Sequence, residues 1–173
     1  MQITKTGMIL HWTAGRYTPN EHEKDSYHGG VIWDGKTAQF VKWRDYTGII
    51  SHTLRRNTLN IGLTVCAMAG ASERDWGICP MKKEQIDELC LAAAEIAFLK
   101  NIDTSRIMTH AEAAILDGYF GERWDLARLE EGAISQATAK ATGDKLRKKI
   151  REIKLELIAG KRQTRRLHFA NKK

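Results

Sequence analysis

The stretch "ILHWTAG", residues 9–15, decides how the rest of the chain is interpreted. It places His11 at the end of an apolar run and directly before three small residues. The preceding "GMIL" is typical of a short buried strand. A histidine at such a position either forms an ordinary hydrogen bond or meets partners from distant parts of the chain. The remaining sequence decides between these two interpretations.

Strand and helix patterns alternate after this first strand. Asp34-Gly35-Lys36 separates two strand-like segments and is a hairpin signal. Strands are predicted over 7–10, 27–33, 37–43, 60–70 and 106–110, and helices over 80–101 and 124–134. This mixture predicts the α/β fold class, with a central mixed β-sheet flanked by helices.

Charge divides the chain into two unequal parts. Residues 1–132 hold 15 Lys and Arg against 18 Asp and Glu, a net charge of −3. Residues 133–173 hold 13 against 3, a net charge of +10. We therefore predict a globular domain over 1–132 and a basic helical extension over 133–173. An extension of this charge favours polyanions, such as nucleic acid or phosphate-bearing lipid.

Residues 144–160 of this extension are predicted to form an amphipathic helix, with one narrow apolar stripe made of Leu146, Ile150, Ile153 and Leu157. The cationic side chains on its other faces are Lys145, Arg147, Lys148, Lys149, Arg151 and Lys154. Two interpretations stay open. The stripe packs on the domain beneath a solvated charged face, or the helix lies on an anionic membrane surface. Nucleic acid is not favoured as a partner, because no aromatic residues are interleaved for base stacking.

Neither the cysteines nor the first residues carry a structural signal. Cys66, Cys79 and Cys90 lack paired spacing, so neither a disulfide framework nor an all-cysteine zinc knuckle is predicted. The opening "MQITKTGMIL" lacks the pattern of a secretory signal, and no segment approaches the roughly 20 apolar residues of a membrane helix. We expect synthesis in the cytoplasm without a signal peptide.

A second histidine, His110, also ends a predicted strand, and Asp125 follows it 15 positions later. Sites in α/β sheets gather beyond the strand ends, so the two imidazoles can reach one spot. Two imidazoles and a carboxylate with an open fourth position make a hydrolytic zinc site. Spacing alone leaves open that each histidine is only hydrogen-bonded.

Four motifs follow one another along the chain, and their order is informative. They are "HWTAG", "YHGGVIWDG", "SHTLRRNTLNIGL", and "THAEA" followed by "ERWD". In this order residues 7–130 resemble the zinc-dependent N-acetylmuramoyl-L-alanine amidases, a family that includes phage endolysins and peptidoglycan-recognition proteins. The resemblance implies the mixed α/β fold of these amidases. It also implies a Zn²⁺ cofactor that is held by His11, His110 and Asp125. Asp117 stays open as the third ligand, because the interval from His110 to Asp125 is longer than the family's and no "DPG" follows.

The resemblance also implies roles around the metal. Tyr27 and Arg123 are the implied catalytic residues, which stabilise the negative charge that develops on the amide oxygen. Thr64 holds the position where some members have a glutamate base, so the base is unassigned. His52 is expected to bind substrate, and Trp12 either stacks on a sugar or shields the metal ligands.

The resemblance implies a peptidoglycan hydrolase of the endolysin type, a bacteriolytic amidase that cleaves the bond between N-acetylmuramic acid and L-alanine. Zinc lowers the pKa of a bound water from about 15.7 to about 7 and polarises the carbonyl. We expect a monomer that acts in the periplasm after release through a holin-type lesion, with a cationic extension that engages the outer membrane. The alternative is a peptidoglycan-binding module without catalysis.

Overall fold

In the part of the chain that the structure describes, five strands form the centre of the fold and four helices surround them. The computed structural model describes residues 4–72 and 74–165. The strands are β1 (Gly7–Trp12), β2 (Gly29–Trp33), β3 (Ala38–Lys42), β4 (Asn60–Val65) and β5 (Ile107–Thr109). The helices are α1 (Glu21–Ser26), α2 (Lys83–Leu99), α3 (His110–Leu116) and α4 (Gln136–Ile158), and a short 3-10 turn over Thr104–Arg106 precedes β5.

The strands form one sheet in the order β3-β2-β4-β1-β5. β1 runs parallel to β4 and β5, β2 runs parallel to β4, and β2 and β3 are antiparallel. The predicted central mixed sheet is therefore confirmed. β1 is buried at all six positions, as expected for a central strand covered on both faces.

The predicted hairpin joins β2 to β3. The Asp34 carboxylate accepts hydrogen bonds from the backbone N–H groups of Lys36 (2.8 Å) and Thr37 (2.6 Å). Gly35 has φ +97°, a left-handed conformation that glycine adopts at little cost. Local turn chemistry thus sets the register of this pair of strands.

α4 packs against α2, and its apolar stripe lies in the same hydrophobic core as the sheet. Leu146 is 2% exposed and Ile150 is fully buried. The helix begins at Gln136 with a capping box at Ser135, so it starts eight residues before Asp144. The first interpretation of the stripe, packing on the domain, is the one observed. The boundary between residues 132 and 133 stays a prediction, and residues 166–173 of the extension lie outside the described residues.

Two local predictions are wrong. Residues 124–134 do not form a helix, and the chain there runs through turns and irregular backbone. Glu122 and Leu126 have φ angles of +64° and +55°, which a right-handed helix does not allow. His110 does not end a strand but is the first residue of α3. None of the described helices combines the length and hydropathy needed to cross a bilayer.

Candidate metal centre

Parallel pairing of β1 and β5 brings His11 and His110 to the same edge of the sheet. His11 lies near the end of β1, and His110 follows the last residue of β5 directly. Thr109 fixes the start of α3, because its side chain accepts from the Glu112 N–H (3.2 Å) while Glu112 Oε2 accepts from the Thr109 N–H (2.9 Å). The capping box therefore places His110 at the first helical position, facing the neighbouring strand.

Asp125 completes the cluster from the irregular segment that follows α3. Its Oδ2 lies 2.9 Å from His11 Nδ1 and 2.8 Å from His110 Nδ1. Its Oδ1 accepts from the backbone N–H of Trp12 at 2.7 Å, and its own carbonyl accepts from the Ala111 N–H at 2.9 Å. Contacts to both β1 and α3 thus hold this carboxylate between the two imidazoles.

Only one of the two aspartates considered as third ligand joins the histidines. One ligand atom from each of His11, His110 and Asp125 lies within 4.8 Å of the other two, and all three residues are buried. Asp117 instead forms a two-pronged ion pair with Arg56, at 2.7 Å from Nε and 2.6 Å from Nη2. Two nitrogens and one oxygen are a donor set that suits Zn²⁺, so the residues present fit this metal.

Asp125 and His11 have the protonation states that a metal requires. Burial favours the neutral form of Asp125, but the adjacent His11 and His110 outweigh it and hold the pKa of the carboxyl at about 2. Burial lowers the pKa of His11 to about 4, against the opposing pull of Asp125. At neutral pH the cluster therefore offers a carboxylate and a neutral imidazole.

Each ligand histidine has a second hydrogen-bond partner on its other ring nitrogen. His11 Nε2 lies 3.2 Å from His52 Nδ1, and His52 Nε2 lies 3.4 Å from the Asn60 carbonyl oxygen. His110 Nε2 lies 2.9 Å from the hydroxyl of Tyr119. Such partners orient ligand imidazoles and fix which nitrogen carries the proton. The sequence reasoning missed Tyr119, since nothing in its spacing distinguishes it from any other loop tyrosine.

His52 is held tightly in this position. Asn57 Oδ1 accepts from the backbone N–H groups of His52 (3.0 Å) and Thr53 (2.8 Å), which closes the loop around the ring. Gly62 faces the ring, and a Cβ there would lie 2.5 Å from His52 Cγ. His52 is 7% exposed, its ring lies against those of His11 and His28, and it is one of the residues that line the cavity over the cluster. The substrate-binding role that was predicted for it stays a prediction.

A cavity of about 190 Å³ opens over the cluster. Tyr27 lines it, with its ring centroid 5.0 Å from that of His11. Burial raises the pKa of the Tyr27 hydroxyl, so this group stays protonated and can donate a hydrogen bond. Trp12 also lines the cavity but is only 2% exposed and packs on Trp124 with 5.6 Å between ring centroids. Such burial fits a shield for the ligands better than a platform for a sugar.

Position 64, where the sequence resemblance raised the possibility of a glutamate base, contributes no carboxylate to this cavity. Thr64 stands opposite His11 in the register of β1 and β4 and is fully buried. Among the residues that line the cavity in the described parts of the chain, Glu122 and Asp125 are the only carboxylates. Sequence reasoning gave Glu122 no role, although it stands only three positions before Asp125.

Arg123 is oriented away from the cluster. Its guanidinium carbon lies 4.1 Å from the centroid of the Phe120 ring, and its Nε donates to the Tyr119 carbonyl at 2.8 Å. It does not line the cavity, whereas its neighbours Glu122 and Trp124 do. This placement gives no support to the predicted role of Arg123 in stabilising charge on the amide oxygen.

The cationic residues predicted for membrane binding fall into two groups. Arg147 binds Glu112 through two nitrogens (2.9 and 2.8 Å) and Asp144 at 2.6 Å. Within α4, the other cations with intramolecular partners are Lys145 with Glu130, Lys149 with Asp87, and Lys154 with the Ile102 carbonyl. Lys148 and Arg151 are exposed and form no hydrogen bond or ion pair within residues 4–72 and 74–165.

Comparisons with known proteins give distant structural likenesses only. No family model matches the chain, and no curated protein matches it. Several solved structures are similar, and three of them illustrate the likeness. A mutant of PlyL is 13% identical with a TM-score of 0.49, covering 87% of each chain. The Ph2119 endolysin from a Thermus scotoductus bacteriophage is 14% identical with a TM-score of 0.48, covering 83% of this chain and 87% of that one.

The third is the N-acetylmuramyl-L-alanine amidase AmiD from E. coli, in complex with the substrate anhydro-N-acetylmuramic acid-L-Ala-D-gamma-Glu-L-Lys. It is 16% identical with a TM-score of 0.47, and the match covers 65% of this chain and 50% of that one. Similarity at this level identifies no family. The functional assignment therefore depends on the motifs and on the geometry of the metal centre.

Proposed function

We propose that this chain is a zinc-dependent N-acetylmuramoyl-L-alanine amidase that hydrolyses peptidoglycan. One observation carries the proposal: His11, His110 and Asp125, which span 114 positions of the chain, direct three ligand atoms to one buried point beside a cavity. The motif order that surrounds these residues supports the same function. Two imidazoles and one carboxylate leave a position free for water and substrate.

The chemistry divides between the metal and the chain. A zinc ion held by these ligands supplies Lewis acidity, which acidifies a water and polarises an amide carbonyl. Tyr27 stays protonated at the cavity wall and donates a hydrogen bond to the oxygen on which negative charge develops. Removing one such donor costs about 100- to 1000-fold in kcat. Trp12 lines the cavity beside the ligands, and its ring is held in place by packing on Trp124.

Mass spectrometry of digested muropeptides, combined with metal analysis, tests the proposal. We expect a released peptide with an L-alanine amino terminus and about one zinc per chain. His11→Ala, His110→Ala and Asp125→Ala should each abolish this product and lower the zinc content. Asp87→Asn is the matched control, because Asp87 pairs with Lys83 on the exposed face of α2, outside the cluster. Full activity in the His11 or His110 variant would exclude the metal centre.

The same experiment addresses the alternative of a peptidoglycan-binding module. A module of that kind would sediment with purified sacculi, carry no stoichiometric zinc and release no peptide. The donor set favours the enzyme, because a buried carboxylate between two imidazoles has little purpose in a surface that only binds.

We further propose that the exposed face of α4 engages an anionic outer-membrane surface once the protein has reached the periplasm through a holin-type lesion. Lys148 and Arg151 are free for this contact, and Leu155 and Ile158 are 56% and 60% exposed. Exposed cations beside apolar side chains are typical of helices that lie on membranes.

Charge reversal of these two cations tests the membrane role without disturbing the core. Lys148→Glu combined with Arg151→Glu should weaken binding to anionic vesicles while hydrolysis of purified sacculi is unchanged. Lys36→Glu combined with Arg74→Glu changes the net charge by the same amount at exposed positions outside α4 and is the control for charge alone. Equal vesicle binding by the double variant and the parent protein would exclude this surface.

A further inference from the structure

The chain turns back after α4, and we call the segment over residues 159–165 the strap. Gly160 has φ +67°, and its N–H donates to the Leu157 carbonyl at 3.1 Å. The Lys161 N–H donates to the Glu156 carbonyl at 2.9 Å. These two bonds form a Schellman motif, which ends the helix and sends the chain away in a fixed direction.

The far end of the strap is fastened to α2 by one residue, Arg165. Its Nη1 donates to both carboxylate oxygens of Glu88, at 2.8 and 2.7 Å. Its backbone N–H donates to Glu95 Oε1 at 2.7 Å, and its Nη2 donates to Glu95 Oε2 at 3.3 Å. Glu88 and Glu95 are seven positions apart and therefore lie on one face of the helix. The arginine lies along that face and binds both carboxylates.

Burial of Glu95 makes this attachment costly to release. Glu95 is fully buried, and Arg165 is its only hydrogen-bond partner within residues 4–72 and 74–165. A buried carboxylate that loses its partner leaves an uncompensated charge away from water, which is strongly destabilising. The fold therefore favours the state in which the strap is bound.

The same arginine reaches the edge of the sheet. β3 is an edge strand of the described sheet, and an edge strand presents unpaired N–H and C=O groups to which another strand can add. The Phe40 N–H of β3 donates to Glu88 Oε1 at 3.1 Å. This oxygen occupies the place that a carbonyl of an added strand would take, and Arg165 Nη1 lies 2.8 Å from it. The strap and α2 therefore meet at this edge.

We propose that the strap is a latch, fastened by Arg165, that keeps the edge of the sheet at β3 from pairing with a second copy of the chain. The closed latch joins three elements, since Arg165 binds α2 and the Glu88 carboxylate that it holds also binds β3. Neither Arg165 nor its two glutamate partners line the cavity over the metal cluster. The latch is therefore independent of the proposed amidase function.

Limited proteolysis with trypsin tests the latch. The bond after Arg162 lies between the end of α4 and the fastening at Arg165, so cleavage there requires the strap to open. When opening and closing are fast, the cleavage rate follows the population of the open form. Arg165→Ala should raise the rate at this bond about 10- to 100-fold, because hydrogen bonds to charged groups are lost. Mass spectrometry of the product that lacks residues 163–173 measures this rate.

Arg74→Ala, at an exposed position outside the strap, is the matched control and should keep the wild-type cleavage rate. A second variant keeps the test valid if an unpaired Glu95 prevents folding. Glu95→Gln combined with Arg165→Gln removes both charges, so no buried charge is left alone. We expect it to fold, as judged by circular dichroism, and to be cleaved faster than the wild type. Wild-type cleavage rates in both Arg165→Ala and this double variant would overturn the latch.

Sedimentation at increasing protein concentration tests closure of the edge. Glu88→Ala combined with Arg165→Ala opens the strap and leaves the Phe40 N–H without its acceptor. The average mass of this variant should exceed that of the wild type and rise with concentration. Glu84→Ala combined with Arg74→Ala changes the same residue types at exposed positions outside the latch and is the control. Rapid cleavage of the Glu88 and Arg165 variant with a wild-type mass at every concentration would show that the strap does not protect the edge.

Discussion

At the scale of single residues, each ligand histidine forms a second hydrogen bond through Nε2, and this bond orients the imidazole for metal binding. His11 and His110 each direct Nδ1 to Asp125, and each has its Nε2 bonded, to His52 and to Tyr119. When Nδ1 binds a cation, Nε2 carries the proton and needs an acceptor. The partners therefore select the tautomer in which Nδ1 is free for the metal.

Removing these partners should weaken metal binding without removing a ligand. We expect His52→Phe and Tyr119→Phe each to lower zinc affinity about 10- to 100-fold, because the imidazoles lose the acceptor that orients them. Competition with a chelator measures the affinity directly. His22→Phe, on the exposed surface of α1, is the control. If both variants bind zinc as tightly as the wild type, the ligand histidines do not need the hydrogen bonds to His52 and Tyr119.

The absence of a side chain at Gly62 should be essential for the observed position of the His52 ring. A Cβ at this position would lie 2.5 Å from His52 Cγ, so Gly62→Ala must displace the ring or distort β4. We expect a loss of about 1–3 kcal/mol in unfolding free energy, the usual cost of overpacking, together with weaker zinc binding. Gly121→Ala is the matched control, because no atom lies within 4 Å of its added Cβ. Equal zinc affinity and stability in the two variants would show that the His52 ring does not need the space beside Gly62.

At the scale of elements, α4 belongs to the folded core whatever its outer face does. Leu146 and Ile150 are buried against the rest of the core, and Arg147 joins α4 to Glu112 in the capping box of α3. α4 approaches α3 closely at Gly143, where a Cβ would lie 2.0 Å from Glu112 Oε2. The basic extension is therefore structurally tied to the segment that presents His110.

Loss of the buried side chains of α4 should lower the unfolding free energy, whatever its effect on membrane binding. Ile150→Ala should lower the unfolding free energy by about 2–5 kcal/mol, since a fully buried side chain is removed from a packed core. Deleting residues 133–173 removes the whole stripe and should leave no cooperatively folded protein, whereas Leu155→Ala, at an exposed position, should have little effect. Urea denaturation followed by circular dichroism measures all three. A folded deletion variant would show that residues 4–132 form a domain by themselves.

At the scale of the whole molecule, buried neutral histidines make stability depend on pH. Burial lowers the pKa of His28 to about 4, and the Gly62 N–H donates to its Nδ1 at 3.0 Å. Burial likewise lowers the pKa of His52 to about 2. An unfolded chain has histidines with a pKa near 6.5, so it binds more protons than the fold in mildly acidic solution. Stability is full above about pH 6.5 and falls as the pH drops below it.

His28→Gln isolates the contribution of one such group. The glutamine amide can accept from Gly62 and donate to the Gly48 carbonyl, as the imidazole does, but it does not titrate. We expect the unfolding free energy of the metal-free variant to fall less steeply between pH 6.5 and about 4, by up to 1.4 kcal/mol per pH unit. His22→Gln, at an exposed position, should keep the wild-type slope. An unchanged slope in the His28 variant would contradict a buried neutral His28.

The sequence by itself determined the strands, the hairpin and the long helices, because local chemistry sets them. Apolar runs over β1 and β4, the Asp34-Gly35 turn and the helical repeat of α2 each act within a few neighbouring residues. It also singled out His11 and His110 through the order of the motifs around them.

Only the tertiary structure decided which residues surround the centre. Asp125 rather than Asp117 joins the histidines, Tyr119 and His52 support them, and Arg123 stacks on Phe120 instead of facing the cluster. The helix predicted over 124–134 gives way to irregular backbone that carries the Asp125 carboxylate. These outcomes depend on contacts between residues as far as 114 positions apart, and no local pattern encodes such contacts.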